Sequence, residues 1–180
     1  MKASWRAPGR LIAIDGVNGV AVRSTARAEI KRVAQAQRGG ISTWDASGVF
    51  GDLIVADPEA GRPSARTLLL LYAADLAFRL RWEIRPAIVE GRTVAAAPYV
   101  ATAIAFGRAA GVSGGWLRNL FAFAMKPDEL RLVDKPPART PHAISFVDFG
   151  CAHLSANGHS LSRRELAERA RTHLRISARL

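Results

Sequence analysis

The sequence predicts an α/β fold, with a mostly parallel sheet of about five strands flanked by helices. Short apolar runs alternate along the chain with longer segments of helical periodicity. The first of these runs, within Arg10–Ile14, is apolar from Leu11 onward, which is typical of a strand covered on both faces. The chain has 180 residues, of which 49% are hydrophobic. We therefore expect one folded domain over residues 1–180.

Each further element follows from periodicity and from its end signals. The other strands are expected at Ile41–Trp44, Thr93–Ala96, Leu130–Val133 and Ala143–Val147. Helices are expected at Ser24–Arg38, Phe50–Val55, Ser64 to about Glu90, beyond Tyr99 to about Ala110, Trp116–Met125 and Ser160–Ser177. Ser24 or Thr25 can cap the first helix, and Ser160 or Ser162 can cap the last one, with Glu165 at the capping-box position. Pro86 should bend or break the long helix. Irregular chain is expected at Met1–Pro8, Asp45–Pro63 and Lys135–Pro141.

The turn after the first strand has the architecture of a phosphate-binding loop. An apolar strand leads into Asp15-Gly-Val-Asn-Gly19, and a helix follows. In such a loop, backbone N–H groups converge on an anion at a helix N-terminus. The usual spacing is G-x-x-x-x-G-K-[ST], which from Gly16 puts Val22 at the lysine and Arg23 at the hydroxyl. The strand, the glycines Gly16 and Gly19 and the helix are present, whereas Ala21 stands at the second glycine of the pattern and the lysine and hydroxyl are missing.

Charge and cysteine content limit the functional classes. The chain has 26 basic and 15 acidic residues, a formal net charge of +11, which suits an anionic partner. Its arginines are spread along the chain rather than clustered, so nucleic acid is not the favoured partner. The single cysteine, Cys151, excludes an internal disulfide and is typical of a reducing compartment. We expect a cytoplasmic protein, because no secretory leader and no apolar run of membrane-spanning length is seen.

A metal site is not predicted. Asp148, Cys151, His153 and His159 lie close in sequence, but their spacing matches no standard zinc motif.

Five motifs, taken in order, resemble the thymidylate kinase family of P-loop nucleoside monophosphate kinases. Asp15-Gly-Val-Asn-Gly is similar to the family's E-G-x-D-G, and Leu69-Leu-Leu-Tyr-Ala-Ala-Asp-Leu-Ala77 to its L-L-F-A-A-D-R-A. Ile84-Arg-Pro-Ala-Ile-Val-Glu-Gly91 resembles I-x-P-A-L-x-x-G, and the run from Val94 to Phe106 resembles V-I-x-D-R-Y-x-x-S-x-x-A-Y. Lys126-Pro-Asp-Glu-Leu-Arg-Leu-Val-Asp134 is similar to x-P-D-L-x-x-x-L-D. The resemblance implies a five-stranded parallel sheet and a homodimer formed through long helices.

The residues that differ from the family pattern are those on which the family's phosphoryl transfer depends. The loop lysine is Val22, the Asp-Arg pair before the family tyrosine is Ala97-Pro98, and the arginine after Asp75 is Leu76. The family's arginine-bearing lid is reduced to about Lys135–Pro141. Phosphoryl transfer depends on positioning and charge neutralisation, so these losses together predict a protein that no longer catalyses it.

Three functions stay open at this point. The first is a catalytically degenerate thymidylate kinase-like protein that binds a nucleotide, another anion or a protein. The second is an active but divergent kinase using ATP and Mg²⁺ as cofactors, with Arg23 as the phosphate clamp and Asp15, Asp45 or Asp134 on the metal. The third is an arginine-rich module that binds nucleic acid through Arg163, Arg164, Arg169, Arg171, Arg175 and Arg179.

The candidate site residues form two groups. The nucleotide- or phosphate-binding candidates are Asp15, Gly16, Asn18, Gly19, Val22, Arg23, Ser24 and Thr25. The base-pocket candidates are Trp44, Asp45, Tyr72, Asp75 and Tyr99.

Overall fold

The computed structural model describes residues 9–55, 63–140, 145–156 and 158–177. Its strands are β1 (Leu11–Asp15), β2 (Arg38–Thr43), β3 (Thr93–Ala97) and β4 (Glu129–Leu132). Its α-helices are α1 (Gly19–Arg32), α2 (Val49–Val55), α3 (Ala65–Arg79), α4 (Arg85–Val89), α5 (Val100–Ala109), α6 (Gly114–Leu120), α7 (Phe146–Ala156) and α8 (Arg163–Ser177). A single 3₁₀ turn, Gln35–Gln37, precedes β2, and a π-helical turn, Leu80–Ile84, joins α3 to α4.

The described strands form one parallel sheet in the order β2-β3-β1-β4. β1 lies inside the sheet, and all five of its residues are buried. Ile12 and Ile14 pack against α1, whereas Leu11 and Ala13 face the larger core, which includes residues of α3, α5 and α8. The predicted α/β class with a parallel sheet is confirmed. After β4, residues 133–140 contain no helix.

The prediction of five strands is wrong, because the described residues form four. Residues 143 and 144 of the expected last strand lie outside the described part of the chain. Phe146 and Val147 instead open α7. Apolar residues at this point fit a helix equally well, since Phe146 and Phe149 lie on one helical face.

The predicted helix starts and ends were shifted at several points. α1 begins at Gly19 rather than Ser24, because the Asn18 side chain accepts the Ala21 N–H at 3.0 Å and caps the helix earlier. It ends at Arg32, and β2 begins at Arg38 instead of Ile41. α6 ends at Leu120 rather than Met125.

Other end signals are found as predicted. Ser64 caps α3 by accepting the Thr67 N–H, and Glu165 accepts the Ser162 N–H at 2.8 Å at the start of α8. The long helix is interrupted just before Pro86 by the π-helical turn. The expected frayed segment Met1–Pro8 lies outside the described residues.

Candidate functional site

The loop between β1 and α1 has only three residues, Gly16–Asn18. Because Asn18 caps the helix, Ala21, Val22 and Arg23 lie within α1 rather than in a phosphate-binding loop. Arg23 is partly exposed at the edge of a small cavity. Ser24 is exposed, and Thr25 is partly buried, on the second turn of the helix.

Val22, at the position of the expected lysine, is only 2% exposed. It packs with Ile12, Ile14 and Ala26 in the apolar layer between α1 and the sheet. The first turns of α1 therefore use this position for packing rather than for an anion.

The N-terminal end of α7 lies against the start of α1. A Cβ atom placed on Gly19 would come within 2.5 Å of the Ser145 Cβ, so only glycine allows this approach. A cavity of about 10 Å³ remains between the two helices and the carboxyl ends of the strands. Its lining residues are Gly16, Gly19, Val22, Arg23, Thr43, Ala97, Pro98, Thr102, Ser145, Phe146 and Val147. A cavity of this size holds about one water molecule.

Asp15, at the carboxyl end of β1, is fully buried and hydrogen-bonded. Its Oδ1 accepts the backbone N–H groups of Tyr99 and Thr102 at 2.9 and 3.0 Å, and the Thr102 hydroxyl at 2.6 Å. Its Oδ2 has no hydrogen-bond partner among the described residues. Burial raises the pKa of the carboxyl, while the hydrogen bonds from Thr102 and Tyr99 act against that rise.

Aromatic side chains fill the space above the strand ends. Phe146 lies 4.4 Å from Tyr72, 5.1 Å from Phe106 and 5.9 Å from Trp44, measured between ring centroids. Phe50 and Phe149 close the group, with their ring centroids 5.5 Å apart. Trp44 and Tyr72, two of the predicted base-pocket residues, are thus brought together inside a packed core and do not line an open pocket.

Tyr72 and Tyr99 each donate their hydroxyl to a backbone carbonyl. Tyr72 bonds to the carbonyl of Tyr99, and Tyr99 to that of Met125, both at 2.8 Å. Burial raises the pKa of both phenols, that of Tyr99 to about 12. Both are therefore neutral hydrogen-bond donors at physiological pH.

Asp45 and Asp75 are brought together and order the chain after β2. Asp75 accepts the N–H of Asp45 at 3.1 Å, and the N–H and hydroxyl of Ser47 at 2.9 Å. Asp45 accepts the N–H groups of Phe50 and Gly51 at the start of α2, at 2.8 and 3.1 Å. These backbone N–H groups and the Ser47 hydroxyl thus occupy all four carboxylate oxygens of the pair.

Arg79, like Thr102, is a buried polar residue near the strand ends that is not among the predicted site residues. Its Nε donates to the Ser42 hydroxyl at 2.9 Å, and its Nη2 donates to the carbonyls of Ser42 and Pro98. Its Nη1 has no hydrogen-bond partner among the described residues and lies 3.9 Å from Asp75 Oδ2. The spacing of Asp75 and Arg79, one helical turn apart on an apolar helix, is a signal that could have identified it.

The described residues contain neither a metal-binding cluster nor a membrane-spanning helix. No group of three or more His, Cys, Asp and Glu side chains in them is arranged to hold a metal ion. Among the helices they form, none is both long and apolar enough to span a bilayer.

Comparisons with known proteins agree with the motifs. The chain is 32% identical over 130 residues to the thymidylate kinase of Xanthomonas campestris pv. campestris (strain B100), which covers 72% of this chain and 57% of that protein. It is 35% identical over 78 residues to the probable thymidylate kinase of Pyrococcus abyssi, covering 43% and 38% of the two chains. The matched region thus spans 57% of the length of the first relative and 38% of that of the second. No family model matches the chain.

The fold is similar to a solved structure. The crystal structure of thymidylate kinase from Ehrlichia chaffeensis superposes with a TM-score of 0.66, covering 96% of this chain and 87% of that one at 14% identity. The sequence similarity to curated kinases and the shared fold point to the same family. The chain is a thymidylate kinase-like protein.

Proposed function

We propose that this chain has lost phosphoryl transfer and acts by binding, to a nucleotide-like anion or to a protein partner. The observation that carries the proposal is the contact between the start of α7 and Gly19 of α1, which leaves about 10 Å³ where a phosphate would enter. A phosphate group with its hydrogen-bonding neighbours needs more space than one water molecule. The proposal places the protein in the cytoplasm, which suits its single cysteine.

The residue types near the strand ends support the proposed loss of phosphoryl transfer. Transfer of a phosphoryl group requires cations and donors around the transferred charge. Val22, Leu76 and Ala97 supply none, and each is buried in apolar surroundings. The ring nitrogen of Pro98 has no hydrogen to donate.

ATP and Mg²⁺ do not fit the described residues in the arrangement that the resemblance implies. The Asp15 carboxylate, at the end of the loop, already accepts three hydrogen bonds on Oδ1 and is closed off by Tyr99 and Thr102. Asp134 is paired with Arg171 at 2.8 Å and Arg175 at 3.1 Å. The proposed function therefore uses neither ATP nor Mg²⁺ as a reacting group.

The active-kinase alternative depends on Arg23, which lines the small cavity. If Arg23 clamps a phosphate, Arg23→Ala should abolish transfer from ATP to dTMP. The nucleic-acid alternative is weakened because Arg163, Arg171 and Arg175 are engaged in ion pairs with Asp148 or Asp134. Arg179 lies outside the described residues.

The decisive experiment is a coupled assay of phosphate transfer from ATP to dTMP with Mg²⁺, beside an active thymidylate kinase as control. We expect no transfer above the rate without protein. Transfer at the control's rate would contradict the proposal, and loss of that activity in Arg23→Ala would then favour the active alternative.

A thermal-shift series with ATP, ADP, dTMP and Mg²⁺ tests the binding role separately. A ligand present at 100 times its dissociation constant stabilises the folded state by about 2.7 kcal/mol. A shift with a nucleotide, without transfer, would support an anion-binding role. No shift with any of them would support a protein partner.

A second copy of the chain is the protein partner that we propose. Leu70, Phe78 and Trp82 are 52, 40 and 64% exposed. Their spacing of eight and then four residues places them along one side of the long helical segment. Large apolar side chains aligned on an exposed face are typical of an interaction surface.

A further inference from the structure

A polar cleft lies at the end of the sheet opposite the loop between β1 and α1. It opens between the last turn of α1 and the amino ends of β1, β3 and β4, and its volume of about 530 Å³ is typical of a small-molecule site. The charged and amide side chains that line it are Arg10, Glu29, Arg32, Gln37, Glu129 and Arg131. We propose that this cleft binds a small zwitterion whose negative charge exceeds its positive charge by one, the class of an acidic amino acid.

Arginines and glutamates alternate along the wall of the cleft. Glu29 accepts a hydrogen bond from Arg32 Nη1 at 3.1 Å, and the same oxygen lies 3.7 Å from Arg131 Nε. Glu129 pairs with Arg131 through one oxygen and with Arg10 through the other. Each arginine is thus oriented by a glutamate before a ligand arrives, which lowers the entropy lost on binding.

These ion pairs leave many of the guanidinium donors unused. Among the described residues, no partner is found for Nε and Nη1 of Arg10, for Nε and Nη2 of Arg32, or for Nη1 of Arg131. The three side chains are 53, 74 and 44% exposed, so a ligand can reach them. Nε and Nη2 of Arg32 form the side of a guanidinium that binds a carboxylate through two parallel hydrogen bonds. The cleft therefore has donors for the carboxylates of a ligand.

The part of the cleft formed by α1 suits a cation instead. α1 ends at Arg32, and its last carbonyl groups carry the partial negative charge of the helix dipole. Glu29 lies in the same turn, and its Oε2 has no partner within the described part of the chain. Gln37, on the 3₁₀ turn, adds an exposed side-chain amide oxygen. A ligand ammonium group thus meets acceptors beside the arginines, whereas a ligand without one leaves them unused.

The lining residues disfavour two other classes of ligand. None of those that the structure describes is aromatic, so a nucleobase has no ring on which to stack. The two glutamates offset all but one of the arginine charges, so a polyphosphate or a nucleic-acid backbone meets little net positive charge. β1, about 16 Å long, separates the cleft from the loop that follows it. The inference therefore goes beyond the proposed function and does not depend on it.

The first test is titration calorimetry of the full chain with L-glutamate and with glutarate, which has both carboxylates but no ammonium group. We expect a dissociation constant below about 10 mM for glutamate, and binding of glutarate that is at least about fivefold weaker. No measurable binding of glutamate up to that concentration, or equal affinity for the two compounds, would overturn the proposal.

Two double variants of equal net charge locate the site. Arg10→Gln/Arg32→Gln removes two cations from the cleft and should weaken glutamate binding at least about tenfold. Arg27→Gln/Arg118→Gln removes two exposed arginines that do not line the cleft, one of them also on α1, and should change it by less than about twofold. An equal loss in both variants would assign the binding to the overall positive charge and would overturn the proposed site.

Glu29→Gln tests the acceptor for the ammonium group. We expect the preference for glutamate over glutarate to fall to within about twofold, because the neutral amide attracts an ammonium group less. A role of Glu29 in stability alone would weaken both compounds equally and keep the preference, which would contradict the proposed zwitterion. Tighter binding of inorganic tripolyphosphate than of glutamate, with the same dependence on Arg10 and Arg32, would also overturn it, in favour of a polyanion.

Discussion

Val22 occupies the position where the resemblance places a lysine. Its side chain is buried between α1 and the sheet. Introducing a lysine there would put an unpaired cation in an apolar layer. We expect Val22→Lys to lower the free energy of unfolding by about 3 kcal/mol, measured by urea denaturation, and to restore no transfer.

Arg23→Lys is the matched control, because it adds a lysine at the next, partly exposed position. It should change the stability by less than about 0.5 kcal/mol. A Val22→Lys variant that is fully stable and transfers phosphate would contradict both the placement of Val22 and the proposed inactivity.

Thr102 links Asp15 to the loop. Its hydroxyl donates to Asp15 Oδ1 at 2.6 Å and accepts the Gly16 N–H at 3.0 Å. We expect Thr102→Val to cost about 3 kcal/mol in the free energy of unfolding at pH 7, because a buried carboxylate and a buried N–H both lose a partner. Thr102→Ser keeps the hydroxyl and should cost less than half as much.

The stability that Thr102→Val loses depends on pH, because Thr102 is hydrogen-bonded to the Asp15 carboxyl. Burial raises the pKa of Asp15 in the folded state, so the unfolded chain ionises first as the pH rises past its ordinary value of 3.8. The stability associated with Asp15 is therefore fully present below that value, and falls as the pH rises toward the folded pKa. Thr102→Val should be most damaging above the folded pKa, where the carboxylate is charged. Urea unfolding of both proteins across the acid range measures this, and a difference that shrinks toward high pH would contradict it.

At the scale of elements, α7 is held in place by Phe146. This side chain contacts Tyr72, Phe106, Trp44 and Phe50 and is 1% exposed. We expect Phe146→Ala to reduce the free energy of unfolding by about 4 kcal/mol, because a large ring leaves a cavity among other rings.

Phe123→Ala removes the same group from a position that is 42% exposed and should cost under about 1 kcal/mol. Phe146→Leu keeps most of the volume and guards against an alanine variant that fails to fold. If Phe146→Ala and Phe123→Ala lose equal stability, α7 does not fill the space above the strands as described.

Local signals predicted most strands and helices along the chain, but not the contact between α7 and α1. The apolar run of β1, the Ser64 cap and the Ser162–Glu165 box are local, so the sequence alone sufficed for them. Asn18, Ser24 and Thr25 are all acceptable caps, and the choice among them depends on packing that the sequence does not display. Phe146 likewise forms part of a helix because it packs against rings that are distant in sequence, such as that of Tyr72.

At the scale of the whole molecule, the exposed side of α3 and the π-helical turn is the feature that calls for a partner. Arg81 lies 5.5 Å above the Trp82 ring, measured from its guanidinium carbon, and Trp82 is still 64% exposed. We expect the unmodified chain to be a dimer in solution and Leu70→Glu/Trp82→Glu to be a monomer with an unchanged circular dichroism spectrum. Light scattering coupled to size-exclusion chromatography measures both masses.

Phe123→Glu replaces an exposed ring outside this surface with a single glutamate and should leave the dimer intact. A monomeric unmodified chain would show that a second copy does not cover the α3 face. Dissociation by Phe123→Glu as well would assign the contact to a different surface.

Cys151 is a natural chemical reporter of whether α7 stays packed against the core. It is the single cysteine in the sequence, lies in α7 and is fully buried, and burial raises the pKa of its thiol to about 12. Disulfide reagents react with the thiolate. Labelling at neutral pH therefore requires α7 to separate from the core, so that Cys151 becomes exposed and ionises. The labelling rate should rise in Phe146→Ala and stay unchanged in Phe123→Ala, and fast labelling of the unmodified protein would contradict a closed cleft. A single thiol thus allows the opening of α7 to be timed without any added probe.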